Sequence, residues 1–223
     1  MPESLTFFAK SRTEPSLTEM KGRSVVRIVD DNEGLRTSYR FLLEGEGWLV
    51  RSYESAEAFL EQDSPLIPGC MILDVRMPGM SGLELQHLLR ERSLHPRIIF
   101  VSAYGTVPMA VKAMKDGASD FLTKPVDETV LVETIENAVR KDFKERQHRV
   151  VHEASIRAWK RLSVREAQVA LEIVRGTPNK VIADRLGISE RTVQQHRANI
   201  YRKTEVTSSA ELATIASRIG LTE

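Results

Sequence analysis

Cysteine is almost missing from this 223-residue chain. Cys70 stands alone, so no intrachain disulfide can form and the disulfide-stapled class of small secreted domain is excluded. Cys70 lies in a strand-like apolar run, where a lone thiol serves as a small buried hydrophobe. No apolar stretch approaches the ~18 residues that a membrane span requires. The first residues lack the basic start and apolar core of a secretory signal. The expected location is therefore cytoplasmic, with no membrane partner. No G-x-x-x-x-G-K-[ST] loop occurs, so no phosphate-cradling nucleotide site is expected. Net charge is also nearly absent, at +1, but that figure hides an asymmetry. Residues 25–138 carry 11 Lys/Arg against 18 Asp/Glu, a net −7. Residues 139–223 carry 17 against 10, a net +7. An acidic front and a basic back suggest two domains with different partners, the basic one facing an anionic polymer.

The patterning divides the same way. Residues 1–23 are polar and unpatterned apart from Leu5-Thr6-Phe7-Phe8 and read as a flexible leader. From 24 to 140, short apolar runs at 25–29, 48–53, 70–73, 97–101 and 120–122 alternate with amphipathic segments near 32–45, 55–62, 81–92, 107–115 and 127–141. Five such βα units with short connections predict a doubly wound parallel α/β sheet with right-handed crossovers. Residues 141–160 lack Pro and Gly, are densely charged and read as a helical linker. His148 and His152 lie four apart there, which offers two metal ligands, too few for a site. From 161 to 223 only helices are expected. Ser163 with Glu166 has the capping-box spacing. Gly176-Thr177-Pro178 breaks the chain, Gly187 ends a second helix, and Ser189 starts a third that reaches Lys203. Two helices joined by a short turn at Gly187 form a helix-turn-helix.

The chemistry collects where strands end. Val25–Val29 runs into Asp30-Asp31, and Cys70–Leu73 runs into Asp74. In an open parallel sheet the crevice beyond the carboxyl ends is the usual site. Three carboxylates crowded there repel one another unless a cation sits among them. An all-oxygen site suits Mg²⁺. Lys124, after a later strand, supplies positive charge for something anionic. Transfer of a phosphoryl group onto Asp74 is the chemistry this set implies.

The quoted stretches resemble a known family. Val29-Asp30-Asp31, Leu73–Gly82 (LDVRMPGMSG), Val101-Ser102-Ala103-Tyr104 and Asp120–Pro125 (DFLTKP) resemble, in this order, the receiver domain of two-component response regulators. Gly105–Met114 looks most like the FixJ-like branch. The resemblance implies a flavodoxin-like sheet of order 2-1-3-4-5. It implies Asp74 as phospho-acceptor, and Mg²⁺ held by Asp31, Asp74 and the Arg76 backbone carbonyl, with Asp30 acting mainly through water. Lys124 and Ser102 would contact the phosphoryl oxygens. Phe121 would be the aromatic that rotates when Ser102 moves, and Lys124-Pro125 would be cis. A sensor histidine kinase would be the donor, docking near Glu33–Tyr39. The resemblance also implies that Tyr104, two residues after Ser102, occupies a position whose side chain would influence phosphoryl lifetime.

Leu162–Glu166, Gly176, Asn179-Lys180, Ile182-Ala183, Leu186–Ser189, Arg191–Val193, His196 and Lys203 resemble the LuxR-type helix-turn-helix. Its third helix would enter the major groove of promoter DNA. Gln194, Gln195 and Ala198 would face bases, since Gln pairs with adenine and Ala meets the thymine methyl. Asn179, Lys180, Arg191, Thr192, Arg197, Arg202 and Lys203 would hold phosphates. Thr204-Glu205 replaces the apolar-Gly pair usual after that helix. The resulting expectation is a phosphorylation-switched regulator, not an enzyme beyond self-directed phosphotransfer and autodephosphorylation. It would pair as a homodimer when phosphorylated, with RNA polymerase a candidate partner. Two other classes stay open. A haloacid-dehalogenase-type phosphatase wants D-x-D-x-[TV] after its first strand, which Asp30–Gly34 does not match. A constitutive DNA binder would use its front domain for protein contacts alone.

Overall fold

A computed structural model of the protein describes residues 15–103 and 105–222. Most of the expected leader (1–14) and Tyr104 lie outside the described residues. From Pro15 onward the leader reading is corrected. Leu17–Lys21 is a helix (α1), capped by Ser16 and Glu19 in a reciprocal box. Met20 is buried, and Lys21 Nζ donates to the Glu46 carbonyl (2.7 Å) while lying over the Trp48 ring.

The chain forms two compact units, 1–147 and 148–223. The first holds β1 (Val25–Val29), α2 (Glu33–Gly45), β2 (Leu49–Tyr53), α3 (Ala56–Gln62), β3 (Gly69–Leu73), α4 (Gly82–Glu91), β4 (Arg97–Ser102), α5 (Val107–Lys115) and β5 (Asp120–Thr123). The strands form one parallel sheet of order β2-β1-β3-β4-β5, so the doubly wound α/β expectation holds. β1 and β3 are buried along their whole length, as central parallel strands covered on both faces must be. Register places the site: Val29 is opposite both Tyr53 and Leu73. The next residues, Asp30 and Asp74, therefore emerge side by side.

The last helix of this unit and the expected linker are one helix, α6 (Glu128–Lys160), of 33 residues. The expected boundary at 140 falls inside this helix and that at 160 falls at its end, because nothing between them breaks a helix.

The second unit continues with α7 (Val164–Val174), α8 (Asn179–Leu186), α9 (Glu190–Thr204) and α10 (Ser209–Arg218). Val169, Ile173, Ile182, Val193, Ile200 and Leu212 form its core. Ser163, Ser189 and Ser208 cap α7, α9 and α10 through their hydroxyls. Gly187 closes α8 in the left-handed region, at φ 64°. Thr204-Glu205 does not prevent the turn after α9. Glu205 itself adopts φ 57°, ψ 34°, a conformation that costs a side-chain-bearing residue roughly 1–2 kcal/mol. Its exposed pair with Arg161 returns at most a fraction of that. Glu205→Gly is therefore expected to stabilise this unit by roughly 0.5–1 kcal/mol, after the entropy glycine adds to the unfolded chain. Urea unfolding checks it; a lower midpoint for the variant would remove the strain argument.

Candidate functional site

Beyond the carboxyl ends of β1 and β3, Asp30, Asp31 and Asp74 present carboxylate oxygens within 4.8 Å of one another. Asp30 and Asp74 are buried and Asp31 is exposed. The backbone fixes the first pair: the Asp74 N–H donates to the Val29 carbonyl (2.9 Å) and the Asp30 N–H to that of Tyr53 (3.3 Å). Lys124 arrives from β5, its N–H donating to the Ser102 carbonyl (3.0 Å), and its peptide bond to Pro125 is cis. Lys124 Nζ donates to Asp30 Oδ2 at 2.6 Å and lies 3.4 Å from Asp74 Oδ1. The two carboxylates are thus not equivalent. Asp30 also accepts the Asn32 N–H (2.8 Å), whereas Asp74 Oδ1 is buried and accepts no hydrogen bond.

Charge follows from this geometry. Burial pushes the Asp74 carboxyl above its ordinary value, Lys124 opposes the rise and Asp30 adds to it. Lys124 is held above its ordinary value; burial alone would lower it, and Asp30 and then Asp74 outweigh that. The Tyr39 hydroxyl is raised, mainly by burial, with Lys124 opposing and the two aspartates reinforcing. So α2 presents a tyrosine within the field of the acidic pair.

A divalent hard cation fits these residues. The donors are all oxygen, and a buried carboxylate oxygen without a donor is the kind of group a cation satisfies. Asp30, Asp31 and Asp74 are grouped closely enough to share one such ion. Ser102 is fully buried at the end of β4. Phe121 is partly buried, its ring 5.9 Å from that of Phe100.

The sequence did not single out three residues that shape the pocket. Arg36 Nη1 donates to the carbonyls of Asp30 (2.8 Å) and Asp31 (3.0 Å), clamping the backbone that carries the acids. Glu57 Oε1 accepts the Met80 N–H (2.8 Å) and ties down the loop after Asp74. At Gly82 a Cβ would stand 2.1 Å from the Asp74 carbonyl oxygen, so only glycine lets α4 start against the acceptor. We expect Arg36→Met to weaken Mg²⁺ binding roughly tenfold, about one charged hydrogen bond's worth, while Arg36→Lys retains part of it. A Mg²⁺ titration followed by intrinsic fluorescence reads this; unchanged affinity in the Met variant would reduce Arg36 to a turn brace.

In the second unit the residues expected at DNA separate into two groups. Arg191, Gln194, Gln195, Ala198 and Arg202 are exposed on α9, as is Lys180 on α8, while Val193 and Ile200 face the core. Thr192 is half-buried, its hydroxyl 2.8 Å from that of Ser189 in the cap. The others are engaged internally. Arg197 donates to Asn179 Oδ1 (3.3 Å) and to the Tyr201 hydroxyl (3.0 Å), bracing α8 to α9. Lys203 Nζ donates to Glu166 Oε2 at 2.6 Å. In the absence of DNA its ammonium serves this internal pair, with the side chain about one-third exposed.

Glu166 is 5% exposed. Lys203 first, then the Ser163 N–H, hold its carboxyl at about 2, against an ordinary 4.5. A depressed carboxylate contributes stability above its unfolded value and loses it as pH falls through its folded one. Glu166→Gln is accordingly expected to destabilise this unit by about 1–3 kcal/mol at neutral pH, with the difference shrinking between about pH 4.5 and about pH 2. Denaturant midpoints across that range test it; a difference independent of pH would mean that packing, not charge, carries the effect.

Comparison with known proteins agrees with both halves. The response regulator receiver domain family matches residues 26–136, and the luxR family of bacterial regulatory proteins matches 160–216. The transcriptional regulatory protein FixJ of Azorhizobium caulinodans is 40% identical over 196 residues, spanning 88% of this chain and 93% of that protein. FixJ of Rhizobium meliloti is 43% identical over 198 residues, covering 86% and 94%. Among solved structures, the response regulator StyR superposes with a TM-score of 0.80 at 41% identity, covering 88% of this chain and 99% of that one. Among the described residues no helix is long and apolar enough to cross a membrane.

Proposed function

Because the chain belongs to the response regulators, a receiver domain followed by a luxR-family DNA-binding domain, we propose that its working chemistry is phosphoryl transfer to Asp74. The phosphoryl donor is a phosphohistidine of a sensor kinase that docks at α2, over Glu33–Tyr39. An Asp74 carboxylate oxygen forms the new O–P bond as the histidine N–P bond breaks, and the electron pair leaves with the imidazole. Lys124 and Ser102 receive the phosphoryl oxygens. Asp31, Asp74 and the Arg76 carbonyl would hold Mg²⁺ directly, with Asp30 acting mainly through water, and the ion would supply positive charge against the added anion. Phe121 relays the local change. The modified receiver pairs with a second copy, bringing two α9 helices to adjacent half-sites of promoter DNA, where RNA polymerase is the further partner. Release of the phosphoryl group to water is the only other reaction assigned, and it resets the switch. The domain division at work is 24–140 for the receiver and 161–223 for DNA binding, with the second half of α6 between them.

One observation carries this reading: Asp74 Oδ1 is buried, accepts no hydrogen bond and lies 3.4 Å from the Lys124 ammonium. The site retains an acceptor oxygen and a cation side by side, an arrangement a purely structural acid pair would not need. The test is incubation with acetyl phosphate and Mg²⁺, followed by intact mass and size exclusion. Gain of one phosphoryl group and a shift to dimer are expected. Absence of the mass increase would defeat the reading, and uptake without dimers would defeat its pairing step.

A further inference from the structure

Gly105, in the connection from β4 to α5, is not required by its backbone. Its φ lies outside the left-handed region that favours glycine, so an L residue can adopt it. Space is what requires it. A Cβ on Gly105 would stand 2.5 Å from Phe121 Cε1 and 3.0 Å from Cζ, with Thr123 Cγ2 at 3.5 Å. Real Cβ atoms essentially never come within 3.0 Å of another group, and here the obstacle is a ring, not the free end of a flexible chain. Phe121 also packs on Phe100, its partner across the β4–β5 register, at a 31° tilt. The ring therefore rests between Phe100 and the bare face of Gly105.

The location gives this seat meaning. Gly105 follows Ser102 by three residues and precedes Thr106, whose hydroxyl accepts the Met109 N–H (3.4 Å) to cap α5. Phe121 precedes Lys124 by three residues. The ring is thus set against the connection that follows Ser102, from a strand that runs on to Lys124. We infer that Gly105 is a positioning residue of the switch: its missing side chain makes one of two Phe121 ring positions available, and the response to Asp74 phosphorylation depends on that availability. The inference rests on the roles given above to Asp74 and Phe121. A two-state element with one state barred cannot be shifted by modification at a distant atom. A side chain at 105 bars the position seen here, so Gly105→Ala holds the ring elsewhere whether or not Asp74 is modified.

The test uses the full chain with para-fluorophenylalanine at position 121, read by fluorine NMR with and without acetyl phosphate and Mg²⁺, and intact mass as the measure of uptake. Gly105→Ala is expected to move the ring resonance before any phosphodonor is added. It is also expected to lose the phosphorylation-dependent shift that the parent shows, while taking up the phosphoryl group as the parent does. An unmoved resonance in the variant overturns the seat. A variant that shifts normally on phosphorylation overturns the coupling. If the parent takes up the group and its ring does not respond, the role of Phe121 falls and this inference falls with it. Failure of uptake in the parent instead strikes the Asp74 reading first. Should Gly105→Ala fold poorly, Gly105→Ala with Phe121→Leu removes the clash. Recovery of folding then supports the seat, and no recovery overturns it.

Discussion

Asp74→Asn is expected to end phosphoryl uptake from acetyl phosphate altogether, and at the same time to make the first unit more stable at neutral pH without Mg²⁺. The first effect follows from chemistry. An amide oxygen lacks the full negative charge of the carboxylate and cannot form a stable acyl phosphate, and neither other carboxylate of the acidic cluster combines burial with an oxygen that accepts no hydrogen bond. Asp30 is already committed to Lys124 and to the Asn32 N–H, and Asp31 is exposed. The second effect follows from electrostatics. Burial and the neighbouring Asp30 raise the Asp74 carboxyl despite Lys124. An acid raised in the folded state contributes stability when protonated and loses it as pH rises through its folded value. Once pH has risen through that folded value the cost is present, and a neutral amide removes it.

The gain should be of order 1 kcal/mol, typical of relieving a functional site's built-in strain. Mg²⁺ should reverse the ranking, because a ligand that binds the folded acid cluster stabilises only the form that binds it well. Calorimetric melts of parent and variant, each with and without Mg²⁺, give the four values needed. A variant less stable than the parent in the absence of Mg²⁺ would show that Asp74 is a structural acid. Retained uptake in the variant would move the acceptor to another residue.

The sheet was legible because burial on both faces writes itself as continuous apolar runs: β1 and β3 match the runs at 25–29 and 70–73 to within a residue. The acid site was legible for the same reason, since register carries whatever follows those runs to one level. What escaped has partners that leave no mark in sequence. Arg36 acts on backbone carbonyls, which every residue has. Gly82 and Gly105 are defined by what a Cβ would strike, which no local pattern encodes. The α1 helix did carry a signal, the Ser16–Glu19 capping box, the same spacing that marked α7. With one buried apolar residue, Met20, it showed no periodicity to accompany the cap. On α9, charge alone could not separate Arg191, which is exposed, from Lys203, which reaches back 37 residues to Glu166.

Arg27 is the clearest case of a charge that the apolar pattern concealed, and it yields the largest stability effect. It lies in β1 at 1% exposure, where a strand buried on both faces would be read as wholly apolar. Its Nε donates to Asp63 Oδ2 at 2.9 Å, and its remaining nitrogens reach the carbonyls of Ser64, Val25 and Ile67. Asp63, whose side chain is 1% exposed, also accepts the Tyr53 hydroxyl (2.7 Å), Arg51 Nη1 (3.2 Å) and the Ser64 N–H (2.6 Å). Burial would raise its carboxyl, yet Tyr53 and Arg27 together hold it below the ordinary value. Removing one partner of such a pair leaves the other charge buried and unanswered, which costs about 3–5 kcal/mol. Asp63→Ala is therefore expected to lower the first unit's stability by that amount. Arg27→Met with Asp63→Leu should recover most of it, because an apolar pair of similar volume carries no desolvation cost.

The pH dependence separates this from simple loss of packing. The Asp63 contribution is present above its unfolded value and fades as pH falls through the depressed folded one, so parent and double variant should diverge in acid. At the other extreme the Tyr53 hydroxyl, raised by burial and by Asp63 to about 12, contributes below its ordinary value of 10 and is lost as pH rises through about 12. The parent should thus lose stability at both ends, and the double variant should lose the acid limb and keep only the burial part of the alkaline one. Denaturant unfolding of the three proteins from acid to alkali measures it. If Asp63→Ala costs no more than an exposed carboxylate would, the network does not hold the sheet, and the burial of Arg27 has no electrostatic role.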